Sequence, residues 1–492
     1  MYPYVHSHTL RTWVLSLAIA LLFTADTWAQ SGVQVDRRQL LSTSLPLVEI
    51  ESVDGEMPTC DYVTHPEGAM GESITNTTKV PGRVTISVRD ALLYDSGPYV
   101  QKESGMTFRI RGNTSAYLER KPYKIKLQKK ADLLSRDDPQ RYADKNWLLI
   151  PTGPWMDLMV AFRLSQLMGF EWTPAMKYVN VIINGNFQGV YALVEQVRRN
   201  ERCRINVDKT TGYIIERDPY WWNEDVYFTT SEYRKEYTFK YPEEEDITQE
   251  QIDYVSGLVR QMEQSITAGT YDEYIDVPSW ATWLLAHDIL GTWDSGGSNI
   301  FLAKYDDNPA SLFKMVCLWD LDSMTKMKDA WACIHTDFFF YFPQLLSSSN
   351  PAFLQAYLDK WSAVSPMLFE DMESYLDSIS QSDLGASISA MKAIEEQAFH
   401  YQGSTFEQDI ADLRNWFTTR QRWLSQQMSI LQTPVAPLEA SPSSPSSSTT
   451  FYDFSGRRVF LHSCGTSSHH GLVPPSRALL LQPNGKKIIQ GR

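Results

Sequence analysis

The stretch WDSGGSNIFLAKY, residues 293–305, is followed by KMVCLWDLD, residues 314–322. Apolar runs predict two short strands in this part of the chain, at residues 298–305 and 312–319, on either side of an Asp-Asp-Asn turn. Polar residues lie where these strands begin and end. These polar residues mark either a site shared by two halves of the chain or an acidic turn. The fold and function predicted for the chain depend on which of the two interpretations is correct.

Four of these polar residues are candidates for phosphate chemistry. Asp294 precedes the first strand, Asn299 begins it, and Asp320 and Asp322 end the second. Phosphoryl transfer needs an acid that orients the attacking hydroxyl, together with acid and amide ligands that hold magnesium against the phosphates. Asp and Asn are also common in turns, so a helix-ending turn and an acidic strand end remain the alternative.

A second candidate element is the segment KPYKIKL, in which apolar and basic residues alternate. Lys124 and Lys126 are expected to share one face of a strand, opposite the apolar residues. Either lysine is a candidate for binding phosphate, with Glu195 or Glu216 as the carboxylate that holds it. An edge strand with lysines on its solvent face is the alternative.

The segment RIRGNTS predicts a tight turn between two strands, and Arg111 in this turn is a candidate for covering phosphates. A plain hairpin fits the same residues. The sequence contains no Walker loop, GxGxxG, GxSxG or HExxH motif. His287 and Asp288 lie in an apolar helical run, which favours an interior pair over a catalytic dyad.

Composition indicates a folded, acidic protein. The chain has 492 residues, 43% of them hydrophobic, and a formal net charge of −14. This charge argues against a general nucleic-acid binder, because a phosphate backbone requires a basic surface. The five cysteines form no CxxC pair. A disulfide between Cys317 and Cys333 and two buried thiols are both compatible with the sequence.

The order of patterns predicts six segments. Alternation dominates the first half, helical periodicity the second, and a Pro/Ser/Thr-rich stretch follows. The N-terminus has one arginine, a short apolar run and a small-residue cleavage motif, which are typical of a secretory signal peptide. The predicted segments are a signal peptide (1–29), a leader without regular structure (30–45), a β-rich lobe (46–242), a helical lobe (243–432), a linker (433–450) and a small β tail (451–492).

Taken together and in order, these pieces resemble the spore-coat-H (CotH) kinase-like family. The matching motifs are LPLVEI, FRIRGNTS with KPYKIKL, DKNWLLI, GFEWTP, YVNVIINGNFQGVYALVEQV, GYIIERD, TWD…SNIFL and WDLD. The tail, YDFSGRRV…PNGKKIIQGR, resembles C-terminal segments of secreted Bacteroidetes-type proteins. One departure is that no glycine follows WDLD, where the family usually has one.

The family resemblance implies a two-lobe, atypical protein-kinase-like α+β fold that binds ATP and Mg²⁺ or Mn²⁺ between its lobes. Asp294 would be the catalytic aspartate, and Asn299, Asp320 and Asp322 would be metal ligands. The phosphate-binding set would consist of Arg111, Lys124, Lys126, Glu195 and Glu216.

The expected activity is phosphorylation of serine or threonine in a protein substrate. The chain is expected to act as a monomer outside the cytoplasm, secreted, periplasmic or associated with the cell surface. The alternative is a non-catalytic secreted scaffold or adhesin that keeps the fold and binds proteins or glycans. The absent glycine after Asp322 marks the point at which an active enzyme and an inactive relative would differ.

Overall fold

The computed structural model describes most of the chain between the predicted signal peptide and the linker. The described residues are 33–432 apart from 64–72, 76–77, 154, 296–298 and 336–339, together with four short strands between 451 and 489. The predicted signal peptide (1–29) and linker (433–450) lie outside the described residues. The chain has an α+β fold, rich in strands in its first half and in helices toward its C-terminus, as the sequence predicted.

The described residues up to position 195 contain ten strands. They are β1 Leu47–Ser52, β2 Asp61–Val63, β3 Ser73–Thr75, β4 Val80–Val88, β5 Ala91–Asp95, β6 Met106–Ile110, β7 Tyr123–Ala131, β8 Asp144–Pro151, β9 Met176–Ile183 and β10 Asn186–Glu195. They form an eight-stranded sheet in the order β1-β9-β10-β8-β7-β6-β4-β5, together with a separate β2–β3 ribbon. Because β4 also pairs with β1, seven strands close into a barrel and β5 extends it from β4.

Burial alternates along β4, β6 and β7, whose buried side chains help to fill the barrel. On β7, Tyr123, Ile125 and Leu127 are at most 2% exposed and point into the interior, where they pack with side chains such as Phe108 and Trp147. The intervening lysines of β7 therefore lie on the outer face, as their alternation predicted. Burial of these apolar side chains removes them from water and drives the sheet to close.

The hairpin predicted at Asn184–Gly185 is confirmed. It joins β9 to β10, and its two residues have φ angles of 49° and 77°. A two-residue turn of this kind requires left-handed backbone, which Asn and Gly tolerate best. The Asn184 side chain also accepts a 2.9 Å hydrogen bond from the Ser52 amide, so the turn is fixed to the end of β1.

A second sheet joins residues from both sides of position 242. Its strands are β11 Tyr213–Arg217, β12 Tyr227–Thr229, β13 Glu236–Tyr241, β14 Ile300–Lys304 and β15 Lys314–Met315, in the order β12-β13-β11-β14-β15. The predicted strands of the opening stretch are therefore present as β14 and β15, in shorter form. The antiparallel pairing of β11 with β14 brings Glu216 opposite Phe301, two residues after Asn299.

Eight helices complete the described fold. They are α1 Arg37–Leu41, α2 Asp157–Leu167, α3 Gln249–Ala268, α4 Val277–Leu290, α5 Phe342–Ser347, α6 Ala352–Ser380, α7 Asp383–Phe399 and α8 Phe406–Gln432. Helix α3 begins with a capping box between Thr248 and Gln251. Helix α4 is almost wholly buried, and the indoles of Trp280 and Trp283 donate to the Phe313 and Cys317 carbonyls, which fixes α4 against the second sheet.

The prediction of an unstructured leader at residues 30–45 is wrong for the part that the structure describes. Asp36 caps α1, which lies inside this range, and Leu40 is fully buried in the larger core. Two adjacent leucines are too short a signal for a helix, but they pack against a surface built by distant parts of the chain.

The remaining features concern membranes, thiols and the tail. No helix in the described ranges has the length and apolar character needed to cross a bilayer. Among the described cysteines, Cys317 and Cys333 do not form a disulfide with each other. In the tail, β16 Phe451–Tyr452, β17 Arg458–Val459, β18 Leu479–Leu481 and β19 Lys487–Ile489 pair in one small antiparallel sheet.

Candidate functional site

A large cleft brings most of the predicted site residues together. Its volume is about 1270 Å³, and its walls come from the β6–β7 loop, the outer face of β8, the second sheet, and the two polar segments around Asp294 and Asp320. Predicted site residues lining it are Arg111, Lys124, Glu216, Asp294, Asn299, Asp320 and Asp322. Lys126 and Glu195 are not among the lining residues.

The end of helix α4 delivers Asp294 to the cleft. The helix stops at Gly291, whose φ of 59° lets the chain turn beside the ring of Trp416. The buried His287 ring contacts the Thr292 hydroxyl at 2.9 Å, which fixes the first residue after this turn. The Asp294 amide then donates to the Ser323 hydroxyl at 2.9 Å, so the Asp294 segment is fastened to the segment that follows Asp322.

Asn299 and Asp320 form a hydrogen-bonded pair in the cleft. The Asn299 Nδ2 atom donates to Asp320 Oδ2 at 2.7 Å. Both residues have left-handed backbone, with φ angles of 63° and 55°. Such angles are uncommon outside glycine and are found repeatedly at functional sites, where the surrounding structure holds them. Asn299, just before β14, and Asp320, which follows β15, therefore present an amide and a carboxylate at one point although they are 21 residues apart.

Asp294, Asp320 and Asp322 lie close enough in the cleft to influence one another's ionisation. Burial and the neighbouring Asp322 raise the pKa of Asp320 to about 6, against the opposing effects of Arg111 and Asn299. Burial and Asp320 raise the pKa of Asp294, and burial and Asp294 raise the pKa of Asp322. Solvent reaches these side chains, but ionisation of one carboxyl group still disfavours ionisation of its neighbour. A bound cation would relieve this repulsion.

The same cleft is also lined by cations. Burial lowers the pKa of Arg111. Asp320 and Glu216 lie close enough to Arg111 to oppose this shift. Arg109 and Lys124 lie directly across from each other on β6 and β7. Burial, Arg109 and Arg198 lower the pKa of Lys124 to about 7. In the described part of the chain, no hydrogen bond or ion pair within 4 Å engages the Lys124 ammonium group, which leaves it available to an anion.

The lysine–glutamate pair of the cleft differs from the predicted one. Lys240 on β13 contacts Glu216 on β11 at 2.8 Å and Glu224 at 3.5 Å. Burial raises the pKa of Glu216 to about 7, with Lys240 opposing. Burial disfavours the charged form of Lys240, but Glu216 and Glu224 outweigh it and raise the pKa of Lys240. Lys240 therefore stays protonated, and Glu216 is the partner of Lys240 rather than of Lys124 or Lys126.

Two predicted phosphate-binding residues lie elsewhere. Lys126 shares the face of Lys124 but is exposed, two residues further along β7. Glu195 is 1% exposed at the end of β10, where it accepts from Arg136 at 2.9 Å and from the Ala175 amide at 3.1 Å. It supports the barrel wall, so the prediction that Glu195 holds the site lysine does not fit the structure.

The sequence reasoning missed Arg109, Lys240 and Asp157, all of which line the cleft. Arg109 and Lys240 alternate with buried residues in MTFRI and EYTFKY, and this alternation was the available signal for an outward-facing cation. Asp157 stands in the first turn of α2 and is 8% exposed. Burial raises its pKa to about 7, and Lys326 opposes that shift.

The donor set fits a hard cation that takes few ligands from protein. Within the described ranges, no three His, Cys, Asp or Glu side chains are grouped closely enough to hold a metal ion. Magnesium is commonly bound through one or two carboxylates, with water and phosphate oxygens completing its shell. Asp320, Asn299 and Asp322 offer a set of this kind, so the residues present are compatible with a metal–phosphate complex.

The comparisons with known proteins identify the family of the chain. No curated protein matches the chain. The model of a family described as CotH kinase protein matches residues 108–424, which is more than half of the 492 residues and includes every site residue discussed above. The resemblance predicted from the sequence motifs is thereby confirmed, and the chain belongs to the CotH kinase protein family.

Proposed function

We propose that this protein is a protein kinase that uses ATP with Mg²⁺ or Mn²⁺ to phosphorylate serine or threonine in a protein substrate. In this proposal the barrel corresponds to the N-terminal lobe of a kinase-like fold and the helical half to the C-terminal lobe. The observation that carries it is the Asn299–Asp320 hydrogen bond, 2.7 Å long, in the same cleft as Arg111, Lys124 and Lys240. Acid and amide ligands opposite a cluster of cations are what a metal–triphosphate requires.

Each residue has a distinct part in this proposal. Asp294 orients the substrate hydroxyl. Burial and the neighbouring Asp320 raise the pKa of Asp294, so its ionised, proton-accepting form is less favoured than in water. Asn299, Asp320 and Asp322 hold the metal, which would neutralise charge on the phosphates. Lys124 and Arg111 bind phosphate oxygens, because neither is engaged by a carboxylate within 4 Å among the described ion pairs. Glu216 holds Lys240 in the cleft wall.

The proposed setting is outside the cytoplasm, where the protein acts as a monomer that is secreted, periplasmic or held at the cell surface. The support is the signal-peptide pattern of residues 1–29 and the tail pattern of residues 451–492. Detection of the mature protein in the culture medium or on intact cells, with its new N-terminus sequenced, tests this part of the proposal independently of activity.

A second candidate function is a non-catalytic scaffold or adhesin. The observation in its favour is Trp293, which is 60% exposed immediately beside Asp294. An exposed indole offers a flat apolar surface with one hydrogen-bond donor, which suits protein or glycan partners. On this alternative the cleft binds no nucleotide.

Thermal-shift titration with ATP and Mn²⁺ or Mg²⁺ separates the two functions. A ligand present at 100 times its dissociation constant stabilises the folded state by about 2.7 kcal/mol, so wild type is expected to melt at a higher temperature. Asp320→Asn should lose the metal-dependent part of this response. Asp307→Asn is the matched control, because Asp307 is exposed and lies outside the cleft. No shift in wild type would exclude nucleotide binding and leave the scaffold.

A further inference from the structure

Arg420, on helix α8, is a buried arginine that the proposed phosphoryl transfer does not use. It is 1% exposed, and among the ion pairs within 4 Å in the described part of the chain none includes it. Its Nε atom donates to the Asp288 carbonyl at 2.6 Å. Its Nη1 atom contacts three further backbone carbonyls, those of Met327, Lys328 and Ala330, at 2.8, 3.1 and 2.8 Å. Burying a charge that binds only carbonyls is costly, so the segment that it holds needs an explanation.

The face of α8 that carries Arg420 is fitted to the end of α4. Trp416, one turn before Arg420, donates from its indole to the Ile289 carbonyl at 3.2 Å. Gly291 ends α4 directly against this ring, because a Cβ at that position would collide with Trp416. On the other side, the Arg420 guanidinium lies over the Trp423 ring, 4.5 Å from its centre. Helix α8 therefore holds both the last turn of α4 and the carbonyls of residues 327–330.

The Asp288 side chain holds the same segment from α4. Its carboxylate accepts from the Ala332 amide at 3.0 Å and contacts the Nε2 atom of His335 at 2.8 Å. Asp288 is fully buried, as its apolar helical surroundings predicted. Asp288 and Arg420 therefore grip residues 327–335 from two helices, and we call this arrangement the Asp288–Arg420 clamp.

The clamped segment is bonded to the turn that carries Asp294. Its amides donate to carbonyls of this turn, in the pairs Thr325–Leu290 at 2.8 Å, Met327–Gly291 at 2.9 Å and Cys333–Thr292 at 3.0 Å. The Ser323 hydroxyl in turn accepts from the Asp294 amide at 2.9 Å. A displacement of the clamped segment would therefore reach Asp294 through these hydrogen bonds.

We propose that Arg420 is a positioning residue for Asp294, which it fixes through the Asp288–Arg420 clamp and residues 323–333. The inference rests on the proposed function for the role of Asp294 as the group that orients the substrate hydroxyl. Arg420 is not among the residues that line the cleft, so it acts through the backbone and not on the ligand. Asn299 and Asp320 are held by their own hydrogen bond. Loss of Arg420 should therefore slow transfer more than it weakens nucleotide binding.

Arg420→Lys tests the inference, because an ammonium group keeps the charge but cannot reach all the carbonyls that the planar guanidinium spans. Phosphate transfer is measured at a temperature at which the variant is folded. The kcat should fall about 10- to 100-fold, as expected for a misplaced reacting group, while the KM for ATP changes less than about twofold. Hydrogen exchange should rise in residues 290–294 and 323–333 and stay unchanged in β7. A wild-type kcat, or unchanged exchange in both segments, would overturn the proposal.

A second variant and a matched control guard against a general loss of folding. Asp288→Asn keeps the shape of its side chain but weakens the clamp from α4, so it should give the same pattern and decides the matter if Arg420→Lys does not fold. Ile410→Ala is the control, because Ile410 is 6% exposed on α8 and lines a groove formed by residues 380–414. It should melt at a lower temperature than wild type but keep the wild-type kcat while folded. An equal loss of kcat in Ile410→Ala, at an equal loss of melting temperature, would overturn the inference.

The outcomes also separate this inference from the proposed function. If wild type transfers no phosphate, the kinase proposal fails, and hydrogen exchange in residues 290–294 and 323–333 decides whether Arg420 holds the Asp294 turn. If wild type transfers phosphate and Arg420→Lys does so with the same kcat, the kinase proposal stands and the positioning role of Arg420 fails.

Discussion

At the scale of single residues, the cleft is built from side chains held in unfavourable states. Asn299 and Asp320 both adopt left-handed backbone, and Lys124 is a cation that burial and neighbouring arginines disfavour. Each of these unfavourable states lowers the stability of the fold, and packing in the barrel and around helix α4 compensates for it. Strained backbone and disfavoured charges concentrated in one cleft are typical of a binding site whose ligand relieves them.

Thr325 explains how the segment after Asp322 turns without the expected glycine. Its φ is 62°, a strained angle for a β-branched residue, and its amide donates to the Leu290 carbonyl at 2.8 Å. Left-handed backbone costs an L-residue about 1–2 kcal/mol, and glycine avoids this cost. Part of the gain is lost again, because glycine has greater conformational freedom in the unfolded chain. Thr325→Gly should therefore stabilise the protein by up to about 1 kcal/mol in urea unfolding.

Thr229 provides the matched control for this substitution. It lies exposed in β12 and has no left-handed backbone. Thr229→Gly should destabilise the protein by roughly 0.5–1 kcal/mol, because glycine loses more freedom on folding. If Thr325→Gly destabilises by a similar amount, Thr325 is not strained and the explanation is wrong.

Lys124 should make both stability and nucleotide affinity depend on pH. Burial lowers its pKa from 10.5 to about 7 in the folded chain. Between these two values the unfolded chain holds the proton and the folded chain does not, so stability rises with pH across this window. ATP affinity should fall over the lower part of the window as the ammonium loses its charge.

Lys124→Met should abolish the Lys124 contribution to both trends and weaken ATP binding at pH 6.5. Lys126→Met is the control, because it removes a lysine from the same face of β7 outside the cleft. Urea unfolding and calorimetric ATP titration over a pH series measure the two effects. Equal pH profiles for wild type and Lys124→Met would contradict the assignment.

At the scale of elements, one buried ion pair fastens the β6–β7 loop to helix α7. Arg120 contacts the fully buried Glu395 at 2.6 Å and also donates to the Thr152 carbonyl. Gly189 makes room, since its φ is 107° and a Cβ there would lie 2.6 Å from both side chains. The loop that carries Arg111 is thus held at its far end by the helical half of the protein.

Removing Arg120 should be costly, because Glu395 would remain buried without its cation. Arg120→Ala is expected to destabilise the protein by about 3 kcal/mol in urea unfolding. Arg414→Ala is the matched control, since Arg414 bridges Glu373 and Asp377 on the surface and should cost at most about 1 kcal/mol. A cost for Arg120→Ala no larger than for Arg414→Ala would show that the pair does not fasten the loop.

Local pattern predicted the elements well and their pairing poorly. The alternation in KPYKIKL, the Asn184–Gly185 hairpin and the helices after residue 350 all follow from short-range rules. Closure of the barrel does not, because β1 pairs with β4 and β9 across distant parts of the chain. The acids of the cleft were predicted because they lie beside strand ends in sequence.

The predicted partner of the site lysine was wrong for the same reason. Glu216 meets Lys240 only because β11 pairs with β13, and no local signal fixes which strands are neighbours. Glu195 lies at the end of β10, where the fold supplies Arg136 as its partner. Asp157 was missed because a single acid in the first turn of a helix is ordinary at the level of sequence.

At the scale of the whole molecule, the barrel and the helical half share a core. Phe187 and Val190, on the outer face of β10, belong to the same apolar cluster as Trp283 of α4 and Trp416 of α8. The cleft lies where these parts meet, so its acids and cations are brought together by folding itself. A site formed in this way needs little rearrangement before it binds a ligand.

The most direct test of the central claim is transfer of labelled γ-phosphate from ATP, with Mg²⁺ or Mn²⁺, to serine- and threonine-containing peptides and to the chain itself. Wild type should transfer phosphate. Asp294→Asn should still be stabilised by ATP and metal but transfer at least about 100-fold more slowly, because it orients the hydroxyl and does not hold the nucleotide. Asp320→Asn should lose both properties. Absence of transfer by wild type, or transfer by Asp294→Asn at the wild-type rate, would contradict the account.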